Sequence, residues 1–305
     1  METGLTQILS DTKLLWTAIV SAVTSAAVSY FFNRWQTRDK LRIEYEHEER
    51  KRVRELIGRF HGRLLLASVH MNHRMWNLYK NHDRGWLCSL GSYEVLGYYF
   101  LSTVHRFLCV CSLCRRLERE AIYLDARIAG KDDLTFLKIT SAISWVMTDV
   151  SLFAGLTYDH SKARDHFFSD HLRKVCDSCY EDDHPIHYDT LEERIAEDRS
   201  LDRIMAFFDG LTQGEERYRW DRMVALHLLV VAFINKFGYP EQRSTTAQIS
   251  EIVEQFRNPE IASNLIDWMP RLGLGKVREF REVRDALRRY LRLRKSERTL
   301  VAVSP

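Results

Sequence analysis

The chain has 305 residues, of which 29% are charged and 45% hydrophobic, and its formal net charge is +3. A balance this close to neutral excludes a chain that is drawn to nucleic acid by composition alone, so nucleic acid is not an expected partner. Thirteen Gly and five Pro are few breakers for this length, and no stretch alternates cleanly in β-branched residues, so the pattern predicts an all-α fold of long helices.

Residues 14–32, LLWTAIVSAVTSAAVSYFF, form an uncharged stretch of nineteen residues. A helix needs about twenty apolar residues to cross the bilayer core. The stretch therefore predicts a single N-terminal transmembrane helix preceded by a short segment, 1–13, with the lipid bilayer as a partner. Its hydroxyls, at Thr17, Ser21, Thr24, Ser25 and Ser29, are compatible with lipid if each bonds a carbonyl one turn back. Two ladders of small residues, Ala18, Ala22, Ala26 and Ser21, Ser25, Ser29, would let two helix backbones approach closely, which points to self-association and a homo-oligomer. Glu2, Asp11 and Lys13 precede the span, whereas Arg34, Arg38, Lys40 and Arg42 follow it. The excess of Lys and Arg marks the cytoplasmic side. The N-terminus is expected outside and the C-terminal domain in the cytoplasm, at the plasma membrane in a bacterial cell. Of the six cysteines, three (Cys109, Cys111, Cys114) lie within six residues. That spacing on a helix does not suit disulfide geometry and fits reduced cytoplasmic thiols.

Residues 33–55 are dense in interleaved charge, with Glu44, Glu46, Glu48 and Glu49 against Arg50, Lys51, Arg52 and Arg54. Opposite charges three and four apart predict a solvated helical stalk. An apolar stripe then opens at Val53, Leu56, Ile57, Phe60, Leu64 and Leu65. The region 56–295 reads as one cytoplasmic helical domain of about eight helices packed orthogonally, with a disordered tail at 296–305. Glycines at 85, 91 and 97 break the chain, and a long helix is predicted from about Tyr98 to Ala129. Asp132 or Asp133 caps the next helix, with stripe Phe136, Ile139, Ile143, Val146, Met147 and Val150. Thr190 with Glu193 forms a capping-box pattern that opens a further helix. The run Met223–Ile234, interrupted only by His227, predicts a central buried helix ended by Gly238. Ser244 or Thr245 and then Asn258-Pro259 open two more helices, and Gly273 and Gly275 turn the chain into a last, basic helix beginning at Lys276.

The richest segment for chemistry is Tyr158–Asp189, which holds five of the twelve His and repeats Asp-His four times. Cys176, Cys179, His184 and His187 supply the thiolate and imidazole ligands that zinc takes tetrahedrally. At i and i+4 on one helical face, His166 and Asp170 would let a carboxylate orient a catalytic imidazole. The alternative for all of them is a solvated acidic connector with ordinary buried thiols. In the last helix Arg284, Arg288, Arg289, Arg292, Arg294 and Lys295 offer a basic face to an anionic surface, opposite a stripe of Val277, Phe280, Val283, Leu287, Tyr290 and Leu291. With no P-loop, nucleophile-elbow or H-E-x-x-H motif present, the sequence points to a non-enzymatic, membrane-anchored interaction, scaffold or effector module with a protein partner of its own. Two alternatives are a membrane-tethered metal-dependent hydrolase built on residues 158–189, and a module that binds anionic lipid or nucleic acid through the basic helix.

Overall fold

The structure, a computed structural model, describes residues 2–89, 93, 96–125 and 127–303, with side chains over 16–89, 93, 96–125 and 127–296. Among these residues the chain is all-α, with ten α-helices and one ribbon of two very short strands. It divides into two compact units, Met1–Arg52 and Val53–Pro305.

The first unit lies within α1 (Glu2–Asn81). From Trp16 to Tyr45 its side chains are exposed almost throughout, including Trp16, Ile19, Val23, Phe31 and Trp35. Thr24 bonds back to the Val20 carbonyl at 2.7 Å and Thr37 to that of Asn33 at 2.8 Å. Charges pair along the helix as their spacing predicts, with Arg42–Glu46 at 3.0 Å and Arg52–Glu49 at 2.7 Å. The segment expected to cross the bilayer, 14–32, is helical throughout. Among the described residues, no helix is long and apolar enough to cross a membrane. The hydroxyl side chains between Thr17 and Ser29 dilute the apolar stretch, and its first two residues, Leu14 and Leu15, lie outside the described side chains. The segment 1–13, expected as a separate short terminus, is helical from Glu2.

The second unit contains the remainder of α1, then α2 (Tyr98–Ala121), α3 (Lys131–Trp145), α4 (Ser169–Ser178), strands β1 (Tyr180–Glu181) and β2 (His184–Pro185), α5 (Tyr188–Glu197), α6 (Asp202–Phe208), α7 (Arg219–Phe237), α8 (Thr246–Glu254), α9 (Pro259–Arg271) and α10 (Arg278–Val303). The stripe from Val53 to Leu65 is buried, and it continues through Met71, Met75 and Leu78. Helix α7 is buried at every position from Arg219 to Asn235, so its sequence carries no polar face to read. It packs against α3, α8, α9 and α10, whereas α2 packs against α3, α4, α5 and α6. Gly238 leaves α7 with an extended backbone, at a position where a Cβ would lie 2.6 Å from the Ile234 carbonyl oxygen and glycine is required. Asn258 caps α9 by accepting from Glu260 N at 3.0 Å, and Thr245 caps α8 by accepting from Gln248 N at 3.3 Å.

Several boundaries differ from those the sequence predicts. Helix α2 stops at Ala121, not near Ala129, where Leu124 N donates to the Ala121 carbonyl at 3.1 Å and the chain turns out of the helix. Gly130 occupies the N-cap position of α3, and Asp133 reaches back to its N–H at 3.3 Å. Val150 falls outside α3, in a 3-10 turn. Helix α5 begins at Tyr188 behind an N-cap His187, two residues before Thr190, because it leaves the β ribbon directly. That ribbon pairs Tyr180 with Pro185 and Glu181 with His184. Its turn residues Asp182 and Asp183 have φ of 46° and 64°, the left-handed pair of a tight hairpin, which Asp tolerates better than most side chains. The final helix runs on to Val303 through the segment expected to be disordered.

Candidate functional site

His166 does not share a helical face with Asp170, because α4 starts only at Ser169. His166 is buried, with its Nδ1 2.6 Å from the Tyr158 hydroxyl, and burial with the Arg222 charge lowers its pKa to about 4. The Asp170 side chain is fully solvent-exposed, with Arg173 at 3.8 Å. The neighbouring carboxylate, Asp165, is engaged with Arg217 at 2.8 Å and Tyr218 N at 3.1 Å. The catalytic pair expected from spacing is therefore not assembled.

The zinc quartet is likewise divided. Cys176 and Cys179 point into the core, where Cys176 meets Cys111 of α2. Burial pushes the Cys179 thiol up to about 12. His184 and His187 instead border a surface cavity that neither cysteine lines, with ring centroids 4.9 Å apart. Among the described residues, no group of three or more His, Cys, Asp or Glu is placed to hold a metal ion. The C-x-x-C spacing that suggested ligands joins a residue on the buried face of α4, Cys176, to the buried residue that caps the helix, Cys179. On α10, Arg288, Arg289, Arg292, Arg294 and Lys295 are exposed and Arg284 half-buried, opposite a buried face of Phe280, Val283, Leu287 and Tyr290. Ala18, Ser21, Ala22, Ser25, Ala26 and Ser29 are all exposed on α1.

What the fold does assemble is a cleft between the α1 segment after Gly62, α2 and the β ribbon with the start of α5. One chamber, of about 530 Å³, has an apolar lining that includes Leu66, Ala67, Leu113, Pro185 and Ile186. A second, of about 360 Å³, is lined by His70, His73, Arg74, Arg106, Tyr99 and Trp86 among others. His70, Tyr98 and Arg106 border both. The walls are tied together by specific bonds. Arg63 donates to the Tyr180 hydroxyl at 3.2 Å and to the Asp183 carbonyl, which joins α1 to the ribbon turn. His105 Nε2 donates to the Ile186 carbonyl at 2.9 Å, which joins α2 to the strand exit. Tyr98 and Tyr188 meet with ring centroids 5.7 Å apart.

The electrostatics of the cleft set it apart from the rest of the domain. Among the described residues, no Asp or Glu lines either chamber. Arg74 is buried, donates to Ser102 Oγ at 2.7 Å, and lies 4.2 Å over the Tyr99 ring. Arg106 makes a long bond, 3.4 Å, to the Ser102 carbonyl. Neither guanidinium has a carboxylate partner among the described residues. Elsewhere such partners are common, as in Arg59–Glu120 at 2.8 Å and Arg219–Glu215 at 2.6 Å. Burial and then the Arg106 charge lower the Arg74 pKa. The His70 pKa is lowered by burial, then by Arg106, His73 and His105. The His105 pKa is lowered by burial, against its bond to the Ile186 carbonyl. Burial pushes the Cys109 thiol at the chamber wall up to about 12, so it is held protonated. The lining thus offers cationic and imidazole donors beside apolar surface, with no carboxylate base and no activated thiol.

These residues were not among the candidates that motif spacing along the chain picks out. Their signal was present: His70, His73, Arg74 and Asn77 recur at helical spacing in a helix whose opposite face is apolar, and His105, Arg106 and Cys109 repeat that arrangement on α2. No protein-family model, no curated protein and no solved structure matches this chain.

Proposed function

We propose that this chain is a non-enzymatic helical interaction or effector module attached to a membrane through the N-terminal part of α1. The observation that carries this reading is the exposed apolar surface from Trp16 to Trp35, where Trp16 is 68%, Val23 65%, Phe31 69% and Trp35 61% accessible. Exposed apolar surface of this extent marks an interaction site, and the bilayer is the occupant that the flanking residues favour. Aromatic rings stand near both ends of the stretch, and Arg34, Arg38, Lys40 and Arg42 follow it, as they do at a cytoplasmic boundary. In its fuller form the segment 14–32 spans the bilayer once, with the N-terminus outside and the domain in the cytoplasm. The six cysteines are all free thiols, the state a reducing cytoplasm maintains. The small residues from Ala18 to Ser29 favour pairing of two such helices, and the exposed basic face of α10 suits anionic headgroups.

Carbonate extraction of membranes from cells expressing the full chain tests attachment. The chain stays with the membrane pellet, and replacing Ile19 and Val23 by Asp releases it. Recovery of the unaltered chain in the supernatant refutes the reading. An N-terminal tag, accessible to protease only from outside the cell, tests the orientation. Cross-linking in membranes, weakened by Ala22→Leu or Ser25→Leu, tests self-association.

A further inference from the structure

Buried cations are ordinarily paired, because an uncompensated charge away from water is costly. Arg74 breaks that rule. It is 7% exposed, and its partners, the Ser102 hydroxyl and the Tyr99 side chain, are both neutral, so they leave its charge uncompensated and donors of the guanidinium free to face the chamber. A second guanidinium, Arg106, borders the same chamber together with His70 and His73. We propose that the two chambers form one binding site for an organic phosphomonoester, whose phosphate sits against Arg74 and Arg106 and whose apolar or aromatic body fills the larger chamber.

The charge count selects phosphate. A phosphomonoester carries about −1.5 to −2 at neutral pH, which matches two fixed guanidinium charges, whereas a carboxylate supplies only one. Planar guanidinium groups also present the fork that pairs with phosphate oxygens. His70 and His73 supply further donors at the rim of the same chamber. The body of the ligand follows from the adjoining lining of Leu66, Leu113, Pro185 and Ile186, with the Tyr98 and Tyr188 rings at its edge. A volume of about 530 Å³ lies within the roughly 300–1,000 Å³ of small-molecule sites. Inorganic phosphate alone would leave this chamber unused. The same chemistry is offered by a nucleoside monophosphate and by a lysolipid phosphate, so both are tested. This inference does not depend on membrane attachment.

Binding is measured by titration calorimetry on the full-length chain in mild detergent, with phenyl phosphate, adenosine monophosphate, a short-chain lysophosphatidic acid and inorganic phosphate as separate probes. At least one phosphomonoester is expected to bind tenfold or more tightly than inorganic phosphate, and which one identifies the source of the ligand. Arg106→Gln, at a half-buried position, is expected to weaken that binding about tenfold or more, as loss of a charge-assisted hydrogen bond does. Arg74→Gln should do the same, with circular dichroism reporting whether its fold is retained. Leu66→Glu places a negative charge on exposed lining and also weakens binding, whereas Lys131→Gln, a charge removed from outside the cleft, leaves it unchanged. The proposal is overturned if no phosphomonoester binds, if inorganic phosphate binds as tightly as the best of them, or if Arg106→Gln binds like the unaltered chain.

Discussion

Replacing His227 with glutamine isolates the contribution of one buried imidazole to acid stability. His227 is fully buried in α7, with Nε2 2.7 Å from Asn72 Oδ1 and Nδ1 2.9 Å from the Tyr79 hydroxyl. These contacts fit a neutral ring in which Nε2–H donates to Asn72 and Tyr79 donates to Nδ1. Burial lowers the folded pKa to about 3, whereas the unfolded side chain titrates near 6.5. As the pH falls below 6.5, the unfolded chain takes up a proton here that the folded chain refuses. The contribution is therefore fully present above pH 6.5 and is lost progressively toward pH 3. Between pH 7 and pH 5 the loss is about 2 kcal/mol, from roughly 1.5 pH units at 1.36 kcal/mol each. Glutamine cannot titrate, so the variant lacks this slope. At pH 7 it is less stable by about 1–3 kcal/mol, because one of the two partners loses its bond. The assay is urea unfolding of both full-length chains in mild detergent at pH 7 and pH 5, followed by circular dichroism at fixed protein concentration. The stability gap between them should narrow by about 2 kcal/mol at pH 5. A gap unchanged to within about 0.5 kcal/mol would falsify the claim that His227 stays neutral in the fold.

Two further substitutions test how the core is held. Arg222 is fully buried, donates to the carbonyls of Val146 and Asp149 at the end of α3, and lies 4.3 Å over the Phe153 ring. Arg222→Met leaves the Val146 carbonyl without its donor and strips the Asp149 carbonyl of its side-chain donor, and is expected to cost about 2–4 kcal/mol, seen as a drop in Tm of about 4–15 °C by thermal circular dichroism; an unchanged Tm refutes the capping role. Asn258→Ala removes the cap of α9 and is expected to cost about 1 kcal/mol by urea unfolding, with Asn258→Gly recovering most of it, a recovery not expected if the loss came from side-chain packing.

Legibility in the sequence followed the physics of each segment. Periodic helices with chemical stops were readable, as in α7 with Gly238 and α9 with Asn258-Pro259, because capping is a local interaction. The end of α2 was not, because no breaker marks Ala121 and the apolar residues beyond it continue the helical pattern. The start of α5 was hidden because a strand pairing, not the Thr190 box, sets it. At the level of sites, spacing along the chain misled at Cys176 and Cys179, which are a buried position of α4 and its buried C-cap. The cleft has the opposite history. Its cations lie on α1 and α2, more than twenty residues apart, and only packing reveals that no described carboxylate faces them.

The all-buried character of α7 also bears on how the chain is made. Helices α3, α8, α9 and α10 all lean on it, and the Asn72 and Tyr79 side chains of α1 close on its His227. While a ribosome has released only the sequence before Arg219, the faces of α1 and α3 that meet α7 have no permanent cover. Domains generally fold as units once their core is available. Nascent chains of this protein should therefore depend on chaperone shielding until α10, the last helix packed on α7, has emerged, and a stop codon placed before α7 should yield a product that aggregates or is degraded.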